Sequence, residues 1–165
     1  MSLEWKYVEA LESESLIDQF EKEVEYKFPL SFREVVIKNN GGLPSKTVFD
    51  TEYDQCCMNY LLSFNMHDER FSIWDMRDAW ESNIEVAKDY GVESGDYSEF
   101  KELKQIYDRY VVFANTPFGD DIAFDKENDS VVYIDHEILD VERIADSFEE
   151  FLDCLYEEDE DEDEE

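Results

Sequence analysis

Basic residues are scarce in this chain. It has 14 Lys and Arg against 46 Asp and Glu, so its formal net charge is −32 at pH 7 and its isoelectric point is about 4.1. A surface this negative repels nucleic-acid phosphates and anionic lipid headgroups, and it attracts basic partners. We therefore expect no direct binding of nucleic acid or membranes, and we expect a basic protein as the partner.

Cysteines and long apolar runs are also scarce. Cys56, Cys57 and Cys154 are an odd set without a CxxC spacing, which disfavours a disulfide framework and a zinc site. No apolar run approaches the ~20 residues that span a bilayer, and the N-terminal residues lack the pattern of a signal peptide. These absences predict a cytoplasmic protein with reduced thiols, without a metal or a cofactor.

Signatures of catalysis are missing as well. The sequence contains no P-loop, GxGxxG, GxSxG or HExxH pattern, and its two histidines, His67 and His136, have no nucleophile next to them in sequence. Carboxylate pairs carry no information here, because a chain with 46 acidic residues always has some pair at a suitable spacing. The sequence therefore predicts that the protein is not an enzyme.

One acidic triplet has the spacing of a calcium loop. Asp50, Glu52 and Asp54 match the start of an EF-hand loop, but Gln55 stands where the loop requires Gly and Leu61 where it requires Glu. A solvated acidic loop is the simpler interpretation.

Apolar content indicates a folded body. Hydrophobic residues make up 42% of the 165 residues and aromatics 15%, which is enough for a single domain with a core, over residues 1–156. Residues 157–165 are all acidic and predict a disordered tail. Without that tail the body still has 37 acidic against 14 basic residues, a net charge of −23.

Helical spacing of apolar residues predicts several helices, each with a start or stop signal. They cover Ser15–Val24, Pro29–Asn40, a longer helix from Ser72 that ends at Gly91, Ser98–Tyr107, and a last helix from Ser147. Capping boxes are predicted at Ser15 with Asp18, at Ser72 with Asp75, and at Ser147 with Glu150.

Alternating apolar and polar residues predict strands. The β-like segments are 47–64, in which Met58 to Phe64 alternate, and then Tyr110–Ala114, Asp121–Phe124 and Val131–Asp135. The polar turn at 126–129 predicts that the last two form a hairpin. Hairpin signals outnumber βαβ signals, so we predict an α+β fold with a central, mainly antiparallel sheet flanked by helices.

Candidate contact residues for a protein partner lie in two predicted loops, where carboxylates stand beside aromatic rings. A rigid ring can anchor an interface while the charges select the partner. An Asp-rich turn and half-buried loop residues are the structural alternatives. The candidates are Asp50, Glu52, Tyr53, Asp54, Phe118, Asp120 and Asp121.

Three segments of the chain resemble the SUKH superfamily. Residues 28–42, FPLSFREVVIKNNGG, are similar to its LPxxYxxFLxxxNGG helix and glycine stop, although Phe28 and the pair Val35 and Val36 depart from that pattern. Residues 113–137 resemble its strand, Gly-Asp turn and hairpin, and 144–152, IADSFEEFL, resemble its closing IAxSFxEFL helix. The similarity spans about residues 12–156, with a loosely matching middle from 46 to 106.

The resemblance implies an α+β fold without enzymatic activity. Bacterial members of the superfamily neutralise secreted toxins, often nucleases, inside the producing cell, and fungal members regulate cell-wall synthesis. The leading hypothesis is a cytosolic immunity protein that masks a basic toxin, and the toxin is encoded by a neighbouring gene. In a variant of this hypothesis, the carboxylates of the immunity protein imitate the phosphates of DNA. The alternatives are a regulatory or scaffolding module and, ranked last, an enzyme such as a glycosidase. The toxin's identity and the choice between monomer and weak dimer stay open.

Overall fold

A computed structural model describes residues 3–66 and 70–157. These residues form five helices and eight strands, numbered in chain order, and they confirm the α+β class. The helices are α1 (Ser15–Val24), α2 (Leu30–Asn39), α3 (Ile73–Ser94), α4 (Ser98–Arg109) and α5 (Phe148–Cys154). The strands are β1 (Trp5–Lys6), β2 (Leu43–Pro44), β3 (Val48–Asp50), β4 (Gln55–Cys57), β5 (Tyr110–Asn115), β6 (Asp121–Asp125), β7 (Val131–Asp135) and β8 (Asp140–Ala145).

The central sheet is an antiparallel meander in the order β5-β6-β7-β8, in which β6 and β7 form the predicted hairpin. The turn at 126–129 joins β6 to β7, and its geometry depends on Asp125 at the end of β6. Arg109 donates to both carboxylate oxygens of Asp125, at 3.2 and 2.9 Å, and the N–H of Glu127 donates to Oδ1 at 2.9 Å. These charge-assisted hydrogen bonds hold the hairpin to the end of α4.

Side chains alternate between the two faces of this sheet and so reach two different layers. One face carries Phe113 and Phe124, whose ring centroids are 4.5 Å apart, into the main core with α1, α2 and α5. Phe32 of α2 is the centre of that core, with ring centroids 5.1–5.3 Å from Phe113, Phe124 and Phe148. The other face, through residues such as Ala123 and Ile134, packs toward α3 and α4.

The short β3–β4 hairpin covers one end of the main-core face. Phe49 of β3 lies with its ring centroid 6.1 Å from that of Tyr133 on β7 and 5.7 Å from that of Phe151 on α5. The backbones of Val48 and Tyr156 exchange two hydrogen bonds, which tie this hairpin to the segment after α5. The loop between β3 and β4 is thereby placed next to the β7–β8 turn.

The helix predictions are largely confirmed: α1 has the predicted bounds, and the ends compared for the other helices lie within three residues of the predicted ones. The capping box of Ser72 and Asp75 is present. Ser15 and Asp18 form no capping box, because the residue before α1 is Glu14 and the carboxylate of Asp18 pairs with Arg33 at 2.9 Å. At α5 only half of the predicted capping box is present: the Ser147 hydroxyl accepts the N–H of Glu150 at 3.1 Å, and no return bond from the Glu150 side chain is found among the described residues.

Gly91 does not end α3, which continues to Ser94 and stops at Gly95 in the left-handed conformation, with φ +81°. Gly91 is instead a close-packing position. A Cβ there would lie 2.5 Å from Cδ1 of Tyr97, so the absence of a side chain lets the ring of Tyr97 pack against the helix.

The strand predicted from Met58 to Phe64 is wrong. This segment is extended but makes only isolated bridges, at Leu61 and Ser63, and residues 61–65 are all buried. It crosses the edge of the sheet, where the N–H of Leu62 donates to the carbonyl of Phe113 at 2.9 Å. Both of its sides are covered, so its burial does not alternate. The sequence patterns also missed β8, an edge strand with two exposed, three half-buried and one buried residue.

The tail predicted at 157–165 and His67 lie outside the described residues, apart from Glu157. None of the helices within residues 3–66 and 70–157 has the length and hydropathy needed to cross a bilayer.

Candidate functional site

The start of β6 separates two neighbouring carboxylates. Gly119, with φ +92°, turns the chain, and Asp120 and Asp121 then leave the backbone on opposite sides of the sheet. Both are buried, at 8% and 7% exposure. Asp120 faces the β3–β4 hairpin and Asp121 faces α3 and α4.

An open depression of about 360 Å³ lies where three connections meet on the Asp120 side. The loop of the β3–β4 hairpin, the turn before β6 and the turn between β7 and β8 form its walls. Within the described part of the chain, five carboxylates and no Lys or Arg line it, and we call it the acidic cleft. These carboxylates are Asp54, Asp120, Asp135, Asp140 and Glu142.

Three large apolar side chains rim the acidic cleft and are open to solvent. Tyr53 is 84% exposed, Phe118 is 75% exposed and Ile138 is 68% exposed. Each comes from a different one of the three connections, so no local packing holds them together. A ring of exposed apolar groups around a cluster of carboxylates has the composition of a protein-binding site.

Asp120 is the most constrained carboxylate of the acidic cleft. The Tyr133 hydroxyl donates to its Oδ2, the backbone N–H of His136 donates to Oδ1 at 3.0 Å, and Nδ1 of His136 lies 2.5 Å from the same oxygen. Burial alone would raise the pKa of Asp120, but these hydrogen bonds outweigh it and lower that pKa below its ordinary value. Asp120 is therefore a fixed negative charge at neutral pH, and the same contact raises the pKa of His136.

The hydrogen-bonded chain continues from Tyr133 to Cys56 on β4. Burial raises the pKa of the Cys56 thiol, which is opposite to the change that activates a cysteine nucleophile. The imidazole of His136 reaches this thiol only through Asp120 and Tyr133, so it is not placed as its base. The arrangement holds charge in position and does not resemble a nucleophilic pair.

Potential metal ligands come together at the edge of the acidic cleft. One ligand atom from each of Asp120, Asp135 and His136 lies within 4.8 Å of the others. Both oxygens of Asp120 already accept hydrogen bonds, which a metal ion would have to displace. In the calcium-like triplet, two of the carboxylates are engaged in hydrogen bonds. Oδ1 of Asp50 accepts from the Tyr156 hydroxyl at 2.5 Å, and Oδ1 of Asp54 accepts from the N–H of Gln55 at 2.7 Å.

The predicted contact residues divide into two groups. Tyr53, Asp54, Phe118 and Asp120 all line the acidic cleft, although 64 residues of sequence separate the first pair from the second. Asp50, Glu52 and Asp121 do not line it. Asp50 and Glu52 are exposed on the adjoining hairpin, and the N–H of Glu52 donates to Glu142 at 2.7 Å across the hairpin and β8.

Sequence reasoning missed the contribution of the β7–β8 connection. Asp135, Ile138, Asp140 and Glu142 form one wall of the acidic cleft, and none of them was a candidate. A signal was available: Ile138 and Leu139 interrupt an otherwise polar turn directly after a predicted strand. Because β8 itself was not predicted, nothing indicated that this turn would fold back against the hairpin.

Comparison with known families agrees with this architecture. The family model described as "SMI1 / KNR4 family (SUKH-1)" matches residues 12–154. The matched range includes every element from α1 to α5 and every residue that lines the acidic cleft. A search of curated proteins finds no match.

Proposed function

The chain belongs to the SMI1/KNR4 (SUKH-1) family, and from this membership we propose that it is an immunity protein that binds and neutralises a basic protein toxin in the cytoplasm of the producing cell. The partner with the best chemical fit is a nuclease. Its active site must attract phosphates and is therefore basic. The toxin gene is expected next to the gene for this chain.

The observation that carries the proposal is the acidic cleft with its apolar rim. Tyr53, Phe118 and Ile138 surround five carboxylates, and none of the described residues that line the depression is basic. An arginine or lysine of a partner could enter between the rings, where its stem would contact apolar surface and its cationic group the carboxylates. Aromatic anchors and desolvated charge pairs of this kind supply most of the affinity at protein interfaces.

Preorganisation of the cleft favours tight binding. Asp120 is already held by Tyr133 and His136, so its carboxylate loses little freedom when a cation arrives. The net charge of −32 extends the attraction beyond the cleft. Fields of this kind raise association rate constants from ~10⁵–10⁶ to ~10⁸–10⁹ M⁻¹s⁻¹ at low salt. Fast capture protects a cell that makes its own toxin.

Inhibition by binding requires no catalysis, and the side chains at the cleft support this interpretation. The Cys56 thiol has a raised pKa, and His136 is engaged by Asp120. In this proposal the protein inhibits its partner by covering part of the partner's surface.

Co-expression with the neighbouring toxin gene tests the proposal directly. Wild-type protein should restore growth of a host that produces the toxin. The double variant Tyr53→Ala, Phe118→Ala should lose at least about 2 kcal/mol of binding energy, measured by calorimetry, because both rings are interface anchors. Leu30→Ala is the matched control, since Leu30 is equally exposed but lies on α2, away from the cleft.

A second pair of variants separates local charge from the overall field. One double variant combines Asp54→Lys with Asp140→Lys, and the other combines Glu34→Lys with Glu102→Lys. Both change the net charge equally, but only the first pair alters the cleft. The first pair should abolish protection and the second should preserve it. Equal loss in both pairs would assign binding to the general field and not to the cleft. Rescue from no toxin, together with capture of an endogenous protein of the host, would favour the regulatory alternative.

A further inference from the structure

A second depression lies on the opposite side of the sheet, and we call it the α3–α4 cleft. It has a volume of about 620 Å³ and is bounded by α3, α4, the ends of β5 and β6, and the turn after β7. Trp80, Tyr90, Val86 and Leu103 supply most of its apolar lining. Its size falls in the range of sites for small organic ligands.

Asp121 provides the polar group of this cleft. Its side chain is on the face of β6 turned toward α3, and it is 7% exposed. The indole N–H of Trp80 donates to its Oδ2 at 3.0 Å. Among the residues that the structure describes, nothing donates to Oδ1 and no Lys or Arg forms an ion pair with this carboxylate. A buried carboxylate normally has a charged partner, because removing it from water is unfavourable.

The charge of the α3–α4 cleft selects the sign of a ligand. Glu99 and Glu137 also line it, and no Lys or Arg does. His136 is at the boundary with the acidic cleft, where Asp120 compensates its charge. Desolvation raises the pKa of Asp121 to about 6, which a cation bound beside the carboxylate would lower.

We propose that the α3–α4 cleft binds a primary ammonium group on an apolar stem, with Asp121 as the counter-ion and Trp80 and Tyr90 in contact with the stem. This inference is independent of toxin binding, because it concerns the opposite face of the sheet. The ammonium can belong to a small free amine or to a lysine side chain of a polypeptide. Both present the same chemistry to Oδ1 of Asp121.

Nuclear magnetic resonance titration tests this site in the full-length protein. Phenethylamine represents a free amine, Nα-acetyl-lysine methylamide represents a lysine in a polypeptide, and 2-phenylethanol is the neutral analogue of the first. The signal of the Trp80 indole N–H reports on the cleft directly. The buffer is phosphate at pH about 8, well above the pKa of Asp121, and contains no amines.

At least one of the two ammonium probes should shift the Trp80 signal with saturation at about 1 mM or below, and 2-phenylethanol should bind at least about tenfold more weakly than phenethylamine. The stronger ammonium probe identifies the source. Absence of saturation with both probes up to about 10 mM overturns the proposal. Equal binding of phenethylamine and the alcohol also overturns it, because the cleft would then recognise only the apolar stem.

Two variants assign the role of Asp121. Asp121→Asn retains an acceptor for Trp80 but removes the charge, and it should weaken ammonium binding at least about tenfold. Asp89→Asn removes a charge from the exposed face of α3, outside the lining of this cleft, and should change binding by no more than about threefold. Equal loss in both variants would refute a specific counter-ion at Asp121. The amide-proton spectrum of each variant shows that it is folded.

Discussion

Replacing Asp121 with asparagine is expected to stabilise the protein at neutral pH. The carboxylate is buried against Trp80 and forms no ion pair with a Lys or Arg of the described residues, and desolvation raises its pKa from 3.8 to about 6. A difference of this size corresponds to about 3 kcal/mol, since one pKa unit is about 1.4 kcal/mol. Asparagine removes the charge while its carbonyl oxygen can still accept the indole N–H of Trp80.

The pH dependence identifies the cause. Because the folded-state pKa is the higher one, the folded protein holds this proton more tightly than the unfolded chain does. Wild-type protein and Asp121→Asn should therefore be similarly stable below the unfolded value of 3.8, and wild-type protein should lose stability relative to the variant as pH rises through about 6. The full difference of about 3 kcal/mol should be present at pH about 7.5.

Urea denaturation of both proteins between pH 4 and pH 8, in phosphate and acetate buffers without amines, measures this difference. Asp89→Asn serves as the control, since Asp89 is exposed on the same helix that carries Trp80 and its replacement should stay within about 0.5 kcal/mol. A variant at position 121 that is no more stable than wild-type protein at pH 7.5, or a gain that does not change with pH, would refute the reasoning.

Three further outcomes follow from other parts of the structure. Gly91→Ala should destabilise the protein by about 1–3 kcal/mol in urea denaturation, despite the better helix propensity of alanine, because the new Cβ would lie 2.5 Å from Tyr97. The loss of stability should vanish when Tyr97 is also replaced by alanine. A gain of stability from the single change would contradict the close packing. Asp120→Asn should lower the pKa of His136 toward its ordinary value of 6.5, as followed by the imidazole signals in a pH titration, and an unchanged pKa would show that their hydrogen bond contributes nothing to it. The association rate constant with a basic toxin, measured by stopped flow, should fall at least about tenfold between ~20 mM and ~500 mM salt, and a rate independent of salt would remove electrostatic capture from the proposal.

Local patterns predicted most helices and three strands of the central sheet, because the interactions that form them lie within a few residues. The apolar spacing of Leu16, Phe20 and Val24 specifies the buried face of α1, and the capping box of Ser72 and Asp75 is complete within a single turn. The family resemblance extended this prediction to the whole fold, and the family match over residues 12–154 confirms it.

Predictions that depended on neighbours from elsewhere in the chain were less accurate. Glycine is typical of a helix stop, but Gly91 lies within α3. The ring of Tyr97 packs against Gly91 and leaves no room for a Cβ there. Residues 58–64 alternate in sequence, yet both sides of the segment are covered by other elements. A pattern records the preference of one segment, whereas burial depends on what packs against it.

The candidate site shows the same division. Charge, aromatic content and loop position directed attention to Tyr53, Asp54, Phe118 and Asp120, and these four do lie together. Asp120 and Asp121 are neighbours in sequence, yet Asp120 lines the acidic cleft and Asp121 lines the α3–α4 cleft. Only the folded structure shows which other residues form each cleft.

Composition and local periodicity were enough to predict an acidic α+β protein and two loops with candidate contact residues. Packing created the two clefts, because their walls come from segments far apart in sequence. Glu52 and Glu142, 90 residues apart, are joined by a hydrogen bond at the edge of the acidic cleft. No period or spacing within a segment specifies such a contact, since it forms only when the hairpin, the sheet and its turns fold against one another.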